Sequence, residues 1–389
     1  MLKALVKAVL LRLVFLLALP GCAFRKPPTP TRSLWTGAPI INMAINARAE
    51  RLLGVRADSL VFETYFITRA FTYDLSSWRR LPLIGSLLPF AVLLWACLKY
   101  DRFHFYCDRG ILIPHLPFRI DPGELRLLKR LRKQLFFWTY GADVRTTGRT
   151  RALGRHHCCL HCPAPGLACI CDDDRGRQAY ALVKRYALAL FSMGDMIEYA
   201  PDSVTDLFFW PVDLDADRGR RYQPRFPDAD PDRPLRIVHA SNHRHFKGTD
   251  YLVAAVERLR ADALPVELTL VERTPNIDAL EIYRAADVIF DQCLIGFHGF
   301  LAHEAMALGK PVMAFIRKPR LYLLHPDECP ILNAPPDRIE PVIRDLLADR
   351  SQLRALGERG RRYIERYHTP SAFARRLRHH YQRLGVESP

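Results

Sequence analysis

The chain has 389 residues, of which 49% are hydrophobic and 25% charged, a composition typical of a globular protein with room for two domains. Its 57 Lys and Arg against 41 Asp and Glu leave a net charge of +16. This excess predicts an anionic partner, which is a phosphorylated small molecule, an anionic membrane surface or nucleic acid. Because the sequence has no nucleic-acid recognition motif, we expect no nucleic-acid partner.

The cysteines exclude a disulfide framework spread along the chain. Five of the ten lie between Cys158 and Cys171, and the other five are scattered through apolar or strand-like runs. This distribution indicates a reducing compartment.

Residues 1–32 form an apolar segment followed by a proline-rich linker. The run from Leu19 to Cys22 resembles a lipoprotein cleavage site, which favours export. Arg12 interrupts the apolar run, however, and the rest of the chain suggests phosphorylated substrates. We therefore expect a helix that lies on the inner membrane face of a cytoplasmic, peripheral protein. A cleaved signal and a disordered start are the alternatives.

Residues 33–211 alternate strand and helix and predict a Rossmann-like domain. We expect a turn at 35–39 and strands at 59–64, 102–107, 134–140 and 206–210. The uncharged run 81–98 is as long as a membrane span. Because Pro82, Gly85 and Pro89 interrupt it, a buried or membrane-touching helix is favoured.

Residues 156–171 are predicted to form a Cys/His-rich insertion. Two chelating pairs, Cys159 with Cys162 and Cys169 with Cys171, flank a Pro-Gly turn, and four thiolates at this spacing suit a structural zinc ion. The alternatives are an iron–sulfur cluster and free thiols or disulfides in a mobile loop.

The second half repeats the alternation of strand and helix. Residues 212–234, rich in Asp, Arg and Pro, predict a linker. Residues 235–370 predict a second Rossmann-like domain, with strands at 235–240, 266–271, 286–291 and 312–316, and residues 371–389 predict a basic helix. The predicted fold class is α/β, with two Rossmann-like domains facing across a cleft.

One stretch carries the strongest local signal. Residues 286–291 read as a strand, 296–299 as a glycine loop, 300–308 as a helix, and Gly309 as its cap. A strand, glycine loop and helix in this order point helix amides at a bound anion, most often a phosphate.

Three segments resemble retaining, nucleotide-sugar-dependent glycosyltransferases of the GT-B fold (glycosyltransferase family 4, group 1). They are Ser241–Gly248, Tyr283–Val288 and the most specific one, Glu304–Val312. The resemblance is good from 235 to about 367 and loose from 33 to 210. The family usually has two glutamates separated by seven residues. The second matches Glu304, whereas Gly296 stands in place of the first.

The resemblance implies that residues 33–211 form the acceptor domain and residues 235–370 the nucleotide-sugar-binding domain. It also implies roles for several residues. Glu304 would bind the nucleotide ribose, because one carboxylate can accept hydrogen bonds from both hydroxyls of a diol. Arg244 and Lys247 would stabilise the departing diphosphate in place of a metal, so no catalytic metal is expected. The amides of Gly299 and Phe300, and the turn at Gly37, would lie near the donor phosphates.

Each role has a structural alternative. Glu304 could be a helix-start acid favoured by the helix dipole, and Arg244 and Lys247 could be solvated loop cations. Gly37 could form an ordinary turn. Glu272 is assigned to the base from topology alone. Asp143 could orient the acceptor or donor sugar, or equally cap the next turn.

The expected function is transfer of a sugar from a nucleotide-sugar donor to a membrane-associated or envelope-glycan acceptor, with retention. The alternative is a non-catalytic nucleotide-sugar-binding protein of the same fold.

Overall fold

The computed structural model describes residues 2–24, 30–65, 68–107, 109–113 and 119–386. Most of the predicted proline-rich linker lies outside these residues. The chain divides into two compact units. The first comprises residues 1–146, 166–207 and 373–389, and the second comprises 147–165 and 208–372. The division falls between 207 and 208, just before the boundary predicted at 211. The segment predicted as a linker belongs to the second unit.

Every strand pairing within the two sheets is parallel, as alternating strands and helices predict. The first unit holds a six-stranded sheet in the order β3-β2-β1-β4-β5-β6, and the second a five-stranded sheet in the order β11-β10-β9-β7-β8. The strands are β1 Arg32–Thr36, β2 Arg56–Val61, β3 Tyr73–Asp74, β4 Arg102–Tyr106, β5 Gln134–Trp138, β6 Ala189–Phe191, β7 Leu235–Ala240, β8 Val266–Val271, β9 Val288–Gln292, β10 Val312–Ala314 and β11 Leu332–Asn333.

The helices alternate with these strands, and a 3₁₀ helix covers Gly194–Glu198. The α-helices are α1 Leu2–Ala23, α2 Ile41–Arg51, α3 Ser76–Arg79, α4 Pro82–Lys99, α5 Pro122–Arg130, α6 Thr147–Ala152, α7 Asp173–Tyr186, α8 Arg244–Lys247, α9 Thr249–Ala261, α10 Asn276–Ala285, α11 Phe300–Ala307, α12 Pro319–Tyr322, α13 Ile339–Ala348, α14 Ser351–Tyr367 and α15 Pro370–Arg383. The fold class predicted from the sequence, α/β with two Rossmann-like domains, is confirmed.

Helix α1 contributes to the core of the first unit. Its Val14 and Ala18 are buried among side chains of α4 and the sheet, such as Leu93 and Phe103. Residues 4–23 are long and apolar enough to cross a membrane, with a mean hydropathy of 2.1. Signal sequences and the core helices of soluble proteins have a similar length and apolar composition. The run 81–98 is a helix, as predicted.

Helix α15 returns to the first unit and packs against its sheet. The buried carboxylate of Glu50 accepts hydrogen bonds from Ser33 Oγ (2.8 Å), Trp35 Nε1 (2.7 Å) and Tyr381 Oη (2.8 Å). The Arg102 guanidinium stacks on the Tyr381 ring, with its Cζ 4.4 Å from the ring centroid. Because a buried polar group without a partner is costly, this network fixes the last helix onto strands near the start of the chain.

Two expectations about the first unit are wrong. Residues 206–210 form no strand, and their apolar side chains are buried in loop structure instead. The predicted turn at 35–39 overlaps strand β1, which ends at Thr36, so only Gly37 and the residues after it form the turn.

Candidate functional site

Six predicted site residues gather at one edge of the second sheet. Parallel strands end at a common edge, and loops that leave this edge usually hold the ligand in α/β proteins. Arg244 and Lys247 follow β7, Glu272 follows β8, and Gly299, Phe300 and Glu304 follow β9. The other two predicted residues, Gly37 and Asp143, belong to the first unit.

Lys247, Asp291 and Gly299 form the centre of this edge. The Lys247 ammonium pairs with Oδ1 of Asp291, and the Gly299 amide donates to Oδ2 of the same carboxylate. A Cβ atom at Gly299 would stand 3.0 Å from Lys247 Nζ and 3.1 Å from Asp291 Oδ1. The ammonium and the amide thus converge on one anion, which here is the side chain of Asp291.

Asp291 is buried, and burial by itself raises the pKa of a carboxyl. The Lys247 ammonium and the hydrogen bond from Gly299 outweigh this effect and lower the pKa of Asp291 below its usual range. The carboxylate is therefore ionised at neutral pH and offsets the Lys247 charge.

Arg244 and Glu272 form an exposed pair at the same edge. Arg244 Nε lies 2.5 Å from Glu272 Oε1, and both side chains are 40% exposed or more. The hydrogen bond from Arg244 lowers the pKa of Glu272. Because exposed pairs are weak, either side chain can exchange its partner for a ligand at little cost.

Glu304 lies in α11 with its carboxyl buried. Its Oε1 accepts hydrogen bonds from Tyr222 Oη (3.0 Å) and Asn276 Nδ2 (2.9 Å), and Arg221 donates to the Asn276 oxygen. Burial raises the pKa of Glu304. Oε2 takes no hydrogen bond from the residues that the structure describes, so this oxygen is left to accept from a ligand.

Gly296, which stands where the resembling family has its first glutamate, has a backbone conformation that disfavours any side chain at this position. Its φ is +88°, in the left-handed region, and a Cβ atom there would collide with the Arg317 guanidinium. The Arg317 amide donates to the Gly296 carbonyl (2.9 Å). A cation thus occupies the space beside a position where the family has an acid.

In the first unit, Gly37 and Asp143 shape loops at the carboxyl ends of β1 and β5. A Cβ atom at Gly37, where φ is +116°, would come within 3.2 Å of the backbone of Tyr106 and Arg109. Asp143 Oδ1 accepts from the amides of Tyr140 (3.0 Å) and Gly141 (2.8 Å). These bonds stabilise the loop that follows β5, and the role of Asp143 in orienting a sugar stays a prediction.

The four predicted zinc ligands come from both compact units. Cys159 and Cys162 belong to the second unit, whereas Cys169 and Cys171 belong to the first. No disulfide joins the cysteines that the structure describes. Within the described ranges no group of three His, Cys, Asp or Glu side chains could hold a metal ion. The structural zinc ion stays a prediction from the cysteine spacing.

Sequence reasoning missed four residues of the site. Asp291 lies at the carboxyl end of the apolar strand β9 and Arg317 follows the apolar strand β10, and these positions could have revealed them. Tyr222 and Asn276 reach Glu304 from segments distant in sequence, and no local pattern marks them.

No protein-family model matches the chain, and no curated protein matches it. Solved structures do. A sucrose-phosphate synthase from Thermosynechococcus elongatus has a TM-score of 0.58 at 15% sequence identity, covering 92% of this chain and 99% of that one. The chain has the GT-B fold of glycosyltransferases.

Two further structures with this fold contain nucleotides. Anabaena HepE in complex with UDP-glucose has a TM-score of 0.57 at 12% identity, covering 91% of this chain and 99% of that one. An alpha-glucosyltransferase in complex with UDP and a 13-mer DNA has a TM-score of 0.53 at 10% identity, with coverage of 91% and 99%. At sequence identities of 10–15% the similarity establishes the GT-B fold. The reaction has to be argued from the residues of the site.

Proposed function

We propose that this protein is a glycosyltransferase that moves a sugar from a nucleotide-sugar donor to a membrane-associated or envelope-glycan acceptor, with retention of configuration. The observation that carries the proposal is the convergence of the Lys247 ammonium and the Gly299 amide on one anion at the sheet edge. The GT-B fold, which HepE with its UDP-glucose shares, supports a nucleotide-sugar donor.

The donor would lie along the carboxyl edge of the second sheet. Glu304 Oε2 would accept hydrogen bonds from ribose hydroxyls, while Tyr222 and Asn276 hold the carboxylate in place. The diphosphate would take the position of the Asp291 carboxylate against Lys247 and Gly299, with the Phe300 amide beside it at the start of α11. Glu272, at the end of β8, would contact the base.

The leaving nucleoside diphosphate gains negative charge as the bond to the sugar breaks. Lys247, and Arg244 once it leaves Glu272, would stabilise that charge more than they stabilise the bound donor, which lowers the barrier. Because two fixed cations supply this stabilisation, the proposed mechanism uses no catalytic metal.

The acceptor would bind through the first unit. Asp143 lies on a loop at the carboxyl end of β5, where acceptor groups are expected in this fold, whereas Gly37, at the end of β1, would lie near the donor phosphates. The apolar helices α1 and α4 of this unit support a membrane-associated acceptor and a protein that is cytoplasmic and peripheral.

A panel of nucleotide sugars, incubated with membrane extracts as acceptor source, tests the proposal through nucleoside diphosphate release. We expect one donor to be turned over by the wild type. Glu304→Ala should raise the donor KM at least about tenfold, because the ribose hydroxyls lose their acceptor. Glu257→Ala, an exposed glutamate on α9 of the same unit, is the matched control and should leave KM unchanged.

The rival function gives a different result. A non-catalytic binding protein would bind a nucleotide sugar tightly and show no turnover with any acceptor. A chain that neither binds nor turns over any nucleotide sugar would overturn both readings.

The expected absence of a nucleic-acid partner is tested separately. Electrostatic binding alone should weaken steeply with salt and show no sequence preference. Tight, salt-resistant binding to a DNA duplex would contradict the expectation.

A further inference from the structure

Helices α1 and α4 together present an apolar face that is exposed among the residues that the structure describes. In α1, Leu5, Val9, Leu13 and Leu16 lie on one side at helical spacing and are 50% exposed or more. In α4, Leu87 is 56% and Leu98 40% exposed. These six side chains define the apolar face. Since soluble proteins rarely expose contiguous apolar surface of this extent, an occupant is expected.

The opposite side of α1 is fixed to the first unit. Val14 and Ala18 are buried in its core, and Lys7 pairs with Asp121 at the start of α5. At the carboxyl end of α1, Cys22 Sγ lies 3.3 Å from the Cys97 carbonyl oxygen of α4. A helix held along its length in this way would have to leave the core in order to cross a membrane.

A basic pocket adjoins the carboxyl end of α4. Arg32, Arg51, Arg56 and Lys99 line a cavity of about 490 Å³, and Asp58 is the acidic side chain among its described lining residues. Lys99 is the last residue of α4 and directly follows Leu98 of the apolar face. Asp58 pairs with Lys99 (3.2 Å) and Arg51 (3.7 Å), so the four cations leave the pocket with a net positive charge.

We propose that the apolar face lies in one leaflet of an anionic phospholipid bilayer and that the basic pocket holds a lipid phosphate at the membrane surface. The two sites are contiguous, as acyl chains and headgroups are. The exposed Trp78 at the other end of α4 suits the membrane interface, and Arg12 can extend its guanidinium to the headgroups.

The composition of the face favours lipid over a protein partner. Protein interfaces combine an apolar centre with about one hydrogen bond per 100–200 Å². The exposed side of α1 is almost entirely aliphatic, and residues 4–23 have the mean hydropathy of a membrane segment. The protein would thus lie on the membrane without spanning it.

Flotation of the full chain with vesicles of phosphatidylcholine and phosphatidylglycerol tests the apolar face. We expect the wild type to float, and Leu16→Glu combined with Leu87→Glu to lower the bound fraction more than about tenfold. Leu321→Glu changes a 55% exposed leucine in the second unit and should float like the wild type. Because all three positions are exposed, thermal unfolding should stay unchanged.

Two outcomes would overturn the assignment of the face. One is a wild type that stays with the soluble fraction. The other is a double variant that floats like the wild type. If the wild type stays soluble as a dimer that the double variant dissociates, a second copy of the chain covers the face.

The basic pocket is tested by neutralising one cation. Arg56→Gln should weaken binding to vesicles with phosphatidylglycerol about fivefold and leave binding to pure phosphatidylcholine unchanged. Arg362→Gln removes the same charge from α14 and should change neither. Equal effects of the two variants would mean that net charge acts without the pocket, and would overturn this part of the proposal. Neither assay uses a nucleotide sugar, so failure here leaves the proposed transfer activity untouched.

Discussion

Asp291 sets the charge balance at the carboxyl edge of the second sheet, where the donor is proposed to bind. Its carboxylate holds both the Lys247 ammonium and the Gly299 amide, which are the groups proposed to bind the diphosphate. The side chain therefore competes with the donor for the same partners. It also compensates the Lys247 charge, which is mostly buried.

Replacing Asp291 by Asn separates these two effects. The neutral amide repels no diphosphate, so we expect nucleoside diphosphate to bind several-fold more tightly in isothermal titration calorimetry. The free energy of unfolding should fall by about 1–3 kcal/mol, because Lys247 loses its ion pair. Asp345→Asn, at an exposed site on α13, is the control and should change neither quantity. Weaker nucleotide binding in Asp291→Asn would show that the carboxylate prepares the site instead of competing for it.

Gly296 and Gly166 offer a matched test of the contact with Arg317. Their φ angles are +88° and +85°, but a Cβ atom meets the Arg317 guanidinium at Gly296 and nothing within 4 Å at Gly166. Both alanine variants carry a left-handed backbone cost of about 1–2 kcal/mol. Gly296→Ala should lose more than Gly166→Ala in urea unfolding, because the guanidinium must also move. Equal losses in the free energy of unfolding would mean that the Arg317 guanidinium moves aside at no measurable cost.

At the scale of elements, one buried hydroxyl contributes to the attachment of the C-terminal helix α15. Tyr381→Phe removes a side-chain donor to Glu50 and should lower the free energy of unfolding by about 1–3 kcal/mol. Tyr180→Phe, whose exposed hydroxyl accepts from the Asp202 amide (3.2 Å), should cost less than about 0.5 kcal/mol. Chemical denaturation of both variants checks the difference, and equal losses would contradict the role of the network.

Strands that are apolar and clearly bounded could be predicted from the sequence. Strands β7 and β8 begin and end where predicted, since each starts after a proline and carries β-branched residues. Strand β1 was missed because its first residues, Arg32 and Ser33, are polar and Gly37 reads as a turn. The run 206–210 was wrongly taken as a strand.

The wrong strand has a physical explanation. Its apolar residues are buried against the second unit, where the Trp210 carbonyl lies 2.8 Å from His303 Nδ1 and the Val212 amide donates to the His368 carbonyl (2.7 Å). The apolar pattern of these residues therefore reflects burial alone. The strand was predicted wrongly because an apolar run in a single sequence does not distinguish side-chain packing from strand pairing.

The candidate site could also be predicted only in part from the sequence. Arg244, Lys247, Gly299 and Glu304 lie within short motifs and were found. Their partners Tyr222, Asn276 and Arg317 come from other segments, and only the tertiary fold brings them close.

At the scale of the whole molecule, Glu124 gives stability a pH dependence. Its buried carboxyl accepts from the amides of Ile111 and Leu112 (2.9 Å each), and burial raises its pKa from 4.5 to about 7. In the unfolded chain the Glu124 carboxyl loses its proton above pH 4.5, whereas in the folded chain it keeps the proton until about pH 7. The contribution of Glu124 to stability is therefore complete below pH 4.5 and falls as the pH rises to about 7.

Glu124→Gln should remove this contribution to the slope. We expect the urea midpoint of the wild type to decrease more than that of the variant between about pH 5 and about pH 8. Glu257→Gln is the exposed control and should keep the wild-type slope. Parallel pH profiles for Glu124→Gln and the wild type would contradict the assignment.

The division of the chain has a consequence for synthesis on the ribosome. The first unit is assembled from three segments, and the last of them, 373–389, is made only after the second unit. Until Tyr381 emerges, Glu50 lacks one of its donors and the surface that receives α15 stays open. Co-translational folding can therefore complete the second unit first, and the nascent first unit is a predictable client for chaperones until translation ends.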